Sequence, residues 1–413
     1  MSVITIFSGT FCNEDALVEK VLDETGYKLT TDNDIACDAG KFSGVAEDRI
    51  IGAFSSKTSV FNKFTHEKER SIAYMRLSLA RMLSENDLLI SGFAGHLIPK
   101  EISHVLRVCL IADMKFRVSV AVEGNGMSEK EAVNLIHKQD AERAAWVNRL
   151  FKNRDPWDAA LYDIIIPTDK IKMDEALSII KENLSSEVIT PTGNSIKASS
   201  DFLLAAEVEV ALAGEGHTVD VTARDGSVTL TINKQVLMLG RLETELKSIA
   251  EKVPGVVNVE TRVGKGFYQT DIYRKYDFEM PSKILLVDDE REFVQTLSER
   301  LVMRDMGSAV AYDGQSALNM INEDEPEVMI LDLKMPGIDG IEVLRKVKKT
   351  NPEIEVIILT GHGSEADRKE CMKIGAFAYL QKPVDIEMLS MTLKKANEKM
   401  RLNILKRESE TKD

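Results

Sequence analysis

The chain has 413 residues, 44% of them apolar and 29% charged, with a formal net charge of −14. That length exceeds what one hydrophobic core supports, so more than one domain is expected. The acidic balance excludes a general nucleic-acid binder, which needs a basic face, and no apolar run approaches the ~18 residues of a membrane span.

Four cysteines, Cys12, Cys37, Cys109 and Cys371, show no paired spacing. This fits a reduced, cytoplasmic protein better than a disulfide framework or a zinc site. The first residues, Met1 to Phe7, have no basic lead and run straight into a strand-like pattern, so no signal peptide is expected.

Val3 to Phe7 reads as a buried strand, followed by the small-residue turn Ser8-Gly9-Thr10 and a helix from about Asn13 to Thr25. Strand, glycine turn and helix is the layout that offers backbone N–H groups to a phosphate. The second glycine, the lysine and the Ser/Thr of a phosphate-binding loop are missing, and Glu14 and Asp15 stand at the helix start. Two carboxylates there satisfy the helix dipole themselves and repel a phosphate. Residues 45–85 read as mainly helical, Asp87 to Ser91 and Val105 to Ala112 as strands. A helical stretch from Ser128 carries Asp140, Arg143 and Arg149; Ile164 to Pro167 is a strand and Met173 to Asn183 a closing helix. Alternating strands and helices imply a parallel sheet.

Ile4-Thr-Ile6, Gly92-Phe-Ala-Gly95, Val105 to Ala112, Lys138-Gln-Asp-Ala-Glu-Arg143 and Leu161 to Pro167 together resemble the cytidylate kinase-like family, over about 1–185. The resemblance implies a P-loop fold and ATP-dependent phosphoryl transfer to a nucleotide such as CMP. It places Arg117, Asp140 and Arg143 in or near a lid over the phosphates. Where that family carries a glycine-rich loop ending in a basic residue, this chain has Phe11-Cys-Asn-Glu-Asp15, and Phe93 replaces a second basic residue. Phosphoryl transfer depends on cations that stabilise spreading charge, so weak or absent kinase activity is expected. Asp140 and Arg143 also fit a surface ion pair at i,i+3.

Residues 186–199 are polar and read as a linker. In 200–264 a helix (Asp201 to Leu212), strands Val219 to Ala223 and Val228 to Ile232 around Asp225-Gly-Ser, a helix (Leu237 to Val253) and a strand (Val256 to Val263) follow. Asp-Gly between alternating runs is a strong hairpin signal. This α-β-β-α-β order, with Pro254-Gly-Val256, looks like a BON domain, a small α+β module linked in its family to phospholipid surfaces or protein attachment. No exposed apolar anchor or polybasic run is evident, so a docking or spacer role is expected and membrane association is not. Residues 265–281 form a connector rich in aromatics (Phe267, Tyr268, Tyr273, Tyr276, Phe278) and are expected to pack on a domain face.

Four further apolar runs end in polar residues: Ile284 to Val287 in Asp288 and Asp289, Val328 to Leu331 in Asp332, Val356 to Leu359 in Thr360, and Phe377 to Gln381 in Lys382. In an open parallel sheet chemistry sits beyond the carboxyl ends of the strands. Three clustered carboxylates repel unless a hard dication lies among them, and oxygen ligands suit Mg²⁺. An anionic Asp332 is then a nucleophile toward phosphorus, with Lys382 pairing and Thr360 hydrogen-bonding the product.

This constellation resembles the receiver domain of two-component response regulators, over about 282–400. The resemblance implies a doubly wound, flavodoxin-like fold with Asp332 as phospho-acceptor. Asp288, Asp289, Asp332 and the backbone carbonyl of Lys334 would hold Mg²⁺, Thr360 and Tyr379 form a coupled switch pair, and Lys382-Pro383 be a cis peptide. Lys334 and His362 would flank the pocket and tune the lifetime of the phosphoryl group. A histidine kinase or phosphotransfer protein is the implied partner, with an unidentified output target, no direct DNA binding, and a phosphorylation-dependent homodimer. A last helix is expected from about Asp385 to Lys406, with a charged tail over 401–413.

Overall fold

The computed structural model describes residues 2–410 except 56–64, 85, 86, 235, 237, 238, 266, 268–280, 282, 305 and 362, with 404–410 described by backbone alone. Most of the aromatic connector and His362 therefore lie outside the described residues. The chain divides into two compact units, one of residues 1–57 and 67–273, the other of 58–66 and 274–413.

The first unit is built on five strands, β1 (Val3–Ser8), β2 (Lys28–Thr31), β3 (Leu88–Ser91), β4 (Val105–Ile111) and β5 (Ile164–Pro167). They pair in the order β2-β3-β1-β4-β5, with β1 in register on both sides (Ile4 opposite Leu89 and Leu106). Every pairing is parallel. All six residues of β1 are buried, which is why its sequence is a continuous run rather than an alternation. Around it lie α1 (Glu14–Thr25), α2 (Asp32–Ser43), α3 (Glu47–Ile51), α4 (Glu67–Met82), α5 (Met114–Asn125), α6 (Glu129–Phe151) and α7 (Met173–Leu184). Strand β2 and helix α2 are absent from the sequence reading. Only one residue of Lys28-Leu-Thr-Thr31 is fully buried, so hydropathy gave no strand signal, while Thr31 and Asp34 close a reciprocal capping box at the start of α2.

The segment 186–199, expected to be a linker, is instead largely helical. Helix α8 spans Gly193–Gly214, with Thr192 as N-cap and Ser195 completing its capping box. Ser195 Oγ also lies 2.9 Å from His104 Nδ1, at the start of β4. Polar composition misled because capping and burial, rather than hydropathy, start this helix. Phe202 and Ala206 of α8 belong to the core against α4, and Ala205, Val208 and Leu212 to the core of a small sheet. Arg76 of α4 pairs with Glu209 of α8 at 3.1 Å.

That small sheet holds β6 (Asp220–Arg224), β7 (Ser227–Ile232) and β8 (Asn258–Val263), with α9 (Leu239–Ala250) before β8. Strands β6 and β7 are antiparallel and β8 joins β7 in parallel. Both turn residues have positive φ, Asp225 at 55° and Gly226 at 78°, as a twist-matched two-residue turn demands. From the connector, Phe267 is described and packs against this core.

The second unit is a five-stranded parallel sheet of β9 (Ile284–Val287), β10 (Ser308–Ala311), β11 (Val328–Leu331), β12 (Glu355–Thr360) and β13 (Ala378–Gln381). The order β10-β9-β11-β12-β13 is the flavodoxin-like winding. Helices α10 (Arg291–Val302), α11 (Gly314–Glu323), α12 (Gly340–Thr350), α13 (Glu365–Ile374) and α14 (Ile386–Glu410) cover both faces. Edge strand β10 and helix α11 escaped the sequence reading, since one residue of Ser308-Ala-Val-Ala311 is fully buried. Helix α14 continues through most of the stretch expected to be tail.

Candidate functional site

The winding of the second sheet brings the carboxyl ends of β9, β11, β12 and β13 to one edge. Asp288, Asp289 and Asp332 each offer a carboxylate oxygen within 4.8 Å of the others. Asp288 and Asp332 are buried, at 4% and 5% exposure, and Asp289 is exposed. Burial raises the Asp288 carboxyl above the usual carboxylate range, against hydrogen bonds from Lys382 and the Glu290 N–H that hold it down. Asp288 Oδ1 accepts from Glu290 N at 3.0 Å and Asp332 Oδ1 from Leu333 N at 2.8 Å.

Lys382 provides the counter-charge. Its Nζ lies 2.6 Å from Asp288 Oδ2, 3.0 Å from Glu290 Oε1 and 3.8 Å from Asp332 Oδ2. The same ammonium sits 4.3 Å from the centroid of the Phe293 ring. Burial works against its charge, and the bonds to Asp288 and Glu290 outweigh that and raise its pKa. The Lys382–Pro383 peptide is cis. Glu290 is a contributor the sequence reading missed. It follows the two aspartates directly, and only the folded geometry shows its carboxylate on the lysine.

Thr360 ends β12 fully buried, and Tyr379 on β13 has a buried hydroxyl with no hydrogen-bond partner among the described residues. Two glycines fix the backbone here. A Cβ at Gly340 would lie 2.2 Å from the Asp332 carbonyl oxygen, and one at Gly363 would lie 1.6 Å from the Tyr379 hydroxyl. Among the described residues, leaving aside its chain neighbours, a Cβ at Gly361 would meet only Lys382, at 3.9 Å. Lys334 is exposed on the loop after β11. An all-oxygen donor set with a raised, buried carboxyl fits a hard dication.

In the first unit the expected lid residues converge on the loop after β1, but not as an i,i+3 pair. Arg117, 6% exposed, grips Asp140 through both terminal nitrogens at 2.8 and 2.7 Å, and its Nε donates to Thr10 O at 2.7 Å. Arg143 donates to Ser8 O at 2.6 Å and Gln139 O at 3.1 Å, and lies 5.6 Å from the Phe93 ring. Asp140 is bonded to Arg117 on a different helix, a pairing between elements that the sequence cannot show. The carbonyls of Ser8 and Thr10 thus face guanidinium groups. A phosphate cradle would present N–H groups instead.

Asp32, at the start of α2, is another missed residue. Its oxygens accept from Phe93 N at 2.9 Å and Ala94 N at 2.8 Å. Burial raises its carboxyl to about 6 in spite of those two donors. Gly92, at φ 123°, has no room for a Cβ, which would fall 2.2 Å from Asp32 Oδ2.

Two parts of the chain are similar to known families. Residues 284–394 match the response regulator receiver domain, and residues 3–170 match the cytidylate kinase-like family. The C-terminal part of the chain is thus a response regulator receiver domain. Response regulator MprA of Mycolicibacterium vanbaalenii is 36% identical over 110 residues, covering 27% of this chain and 48% of the relative. MprA of Mycobacterium avium is 36% identical over 107 residues, 26% of this chain and 47% of the relative. The chain therefore spans about half the length of the curated relatives it matches. Among solved structures, a receiver domain protein from Clostridium thermocellum is 37% identical over 29% of this chain and 97% of its own, with a TM-score of 0.28. No described helix is long and apolar enough to cross a membrane.

Proposed function

We propose that the chain is a two-component response regulator whose phospho-acceptor is Asp332, with a histidine kinase or phosphotransfer protein as donor. The observation that carries this reading is the trio Asp288, Asp289 and Asp332 under the Lys382 ammonium. With Asp332 Oδ1 held by the Leu333 N–H, Oδ2, 3.8 Å from the Lys382 ammonium, is the oxygen that attacks. It forms a bond to phosphorus as the bond from phosphorus to the donor breaks, and the donor leaves with its electron pair. Mg²⁺, when bound by Asp288, Asp289, Asp332 and the Lys334 carbonyl, supplies the charge neutralisation that lets an anion attack an anion. Lys382 then exchanges part of its hold on Asp288 for the acyl phosphate, Thr360 donates its hydroxyl to a phosphoryl oxygen, and the Tyr379 hydroxyl follows Thr360. Incubation with acetyl phosphate and Mg²⁺ is expected to label the wild type once and leave Asp332→Asn unlabelled. Labelling that persists in the variant overturns the assignment.

The signal passes, in this reading, to a cytoplasmic output carried by the first unit. Its kinase-like part serves as a nucleotide or protein binder without chemistry, and its small BON-like sheet as a docking module. Support comes from Arg117, already neutralised by Asp140, and from the carbonyl-lined loop after β1. The alternative, a phospho-regulated nucleoside monophosphate kinase, rests on the family match of residues 3–170. Assay of the whole chain with ATP and CMP, with and without acetyl phosphate, separates the two. Turnover that disappears in Arg143→Ala establishes the kinase.

A further inference from the structure

Lys382 is held by more than the aspartates of its site. Asp288 Oδ2 at 2.6 Å and Glu290 Oε1 at 3.0 Å lie within hydrogen-bond distance of its Nζ, and Asp332 Oδ2 at 3.8 Å does not. The ammonium is thus drawn toward the β9 end of the site and off the acceptor. Asp288 and Asp332 are nearly buried, whereas the Glu290 side chain is 66% exposed. Glu290 therefore reaches the lysine from the solvent side.

Glu290 stands at the N-cap of α10, yet its side chain makes no capping hydrogen bond. A polar side chain at that position usually bonds the N–H groups of the first turn. The Glu290 carboxylate instead takes the Lys382 ammonium, while its backbone N–H donates to Asp288 Oδ1. Phe293, in the first turn of α10, brings its ring centroid to 4.3 Å from the same ammonium, a favourable cation–π distance. Both holds come from the segment after β9, and neither from β11, the strand that leads into Asp332.

Of the carboxylates around Nζ, Asp288 and Asp332 belong to the set that would hold Mg²⁺, and Glu290 does not. With those two engaged, Glu290 is the carboxylate left within hydrogen-bond distance of Lys382. A phosphoryl group arriving at Asp332 needs that same ammonium. Two anions on one ammonium share a single positive charge and stand close enough to repel each other.

We propose that Glu290 is a positioning residue that parks the Lys382 ammonium away from Asp332, so that Glu290 competes with the incoming phosphoryl group and slows its capture. The inference rests on Asp332 being the phospho-acceptor. Bond making at phosphorus is unchanged by it: Asp332 Oδ2 attacks, the donor leaves with its electron pair, and Glu290 touches neither. The test uses the full chain with Mg²⁺, its Glu290→Gln and Glu290→Asp variants, and two readouts. One is the rate of labelling by acetyl phosphate. The other is the affinity for beryllofluoride, a non-covalent mimic of the phosphoryl group, followed by fluorine NMR. Gln keeps the length and loses the charge; Asp keeps the charge and, one methylene shorter, loses the reach to Nζ. Both variants should label about fivefold faster and bind beryllofluoride about fivefold more tightly, the scale of one exposed ion pair. A merely structural role for Glu290 would move both readouts the other way. Acceleration in one variant alone overturns the proposal, as does slower labelling or weaker beryllofluoride binding in a chain with unaltered thermal unfolding. A wild type that neither labels nor binds beryllofluoride removes the acceptor reading and this inference together. A wild type that labels beside variants of unchanged rate removes this inference alone.

Discussion

Lys382 holds Asp288 at 2.6 Å while both side chains are nearly buried, at 11% and 6% exposure. Removing one member of such a pair typically costs about 3 kcal/mol, because the other charge stays buried and unpaired. Lys382→Met should therefore destabilise the receiver by about that much near pH 7. The sign with pH follows from Asp288, whose folded pKa is already raised. A raised carboxyl stabilises the fold at acid pH and loses that contribution as pH rises through the carboxylate range. Without the lysine the rise is larger, so the deficit should be small in acid and full at neutrality, as read by urea unfolding across pH. Added Mg²⁺ should restore part of it. Asp32 gives a second pH test. Its pKa is raised from 3.8 to about 6, so ionising it in the fold costs about 3 kcal/mol. The stability it contributes is full below pH ~4 and declines as pH climbs to ~6. Both tryptophans, Trp146 and Trp157, lie in the first unit, so their fluorescence isolates its unfolding. In Asp32→Ala that part of the pH slope should vanish.

Among the elements, α12 and α8 place most of the constraint. Helix α12 begins at Gly340, pressed against the Asp332 carbonyl, where a Cβ would approach to 2.2 Å. Backbone cannot yield there as a flexible side chain would. Gly340→Ala should cost several kcal/mol, on the scale of overpacked cores, and reduce acetyl phosphate labelling sharply even in the folded fraction, because the nucleophile shifts with its strand end. Labelling at the wild-type rate would show that the loop relaxes. Helix α8 is shared by two cores, through Phe202 and Ala206 on one side and Val208 and Leu212 on the other. Arg76→Ala strands Glu209, whose carboxyl burial already raises. It should lower the midpoint of the first unit's fluorescence transition, and the small sheet should unfold in the same transition, since its core includes α8.

At the scale of the whole molecule, a receiver edge lined with carboxylates and a sheet within the stretch that matches the cytidylate kinase-like family share a chain with a net charge of −14. The edge keeps its acids, its lysine and its hydroxyl. The sheet has turned its arginines onto backbone carbonyls and a carboxylate. If the first unit is a binder rather than a catalyst, phosphorylating Asp332 should change its binding of a ligand and leave ATP and CMP unconsumed. Titration of ATP and of CMP before and after acetyl phosphate treatment measures that coupling.

The receiver edge was legible in the residue order because β9, β11 and β12 are buried on both faces and each ends at a functional group, while β13, with one fully buried residue, showed itself only by the run from Phe377 into Lys382. A continuous apolar run followed by Asp, Thr or Lys states its own place in a parallel sheet. Asp288, Asp289, Asp332 and Lys382 accordingly come together as expected. Strands with little burial, Lys28–Thr31 and Ser308–Ala311, left no such mark, nor did a helix that starts inside a polar stretch at Gly193. Partner choice was beyond sequence altogether. Asp140 pairs with Arg117 across helices instead of with Arg143 along one, and Glu290 reaches Lys382 from another strand end. Local order determines which residues stand at the carboxyl edge, since a strand and its turn are short-range structures. Which charge answers which depends on distances between elements far apart in the chain, and only the packed tertiary structure sets those.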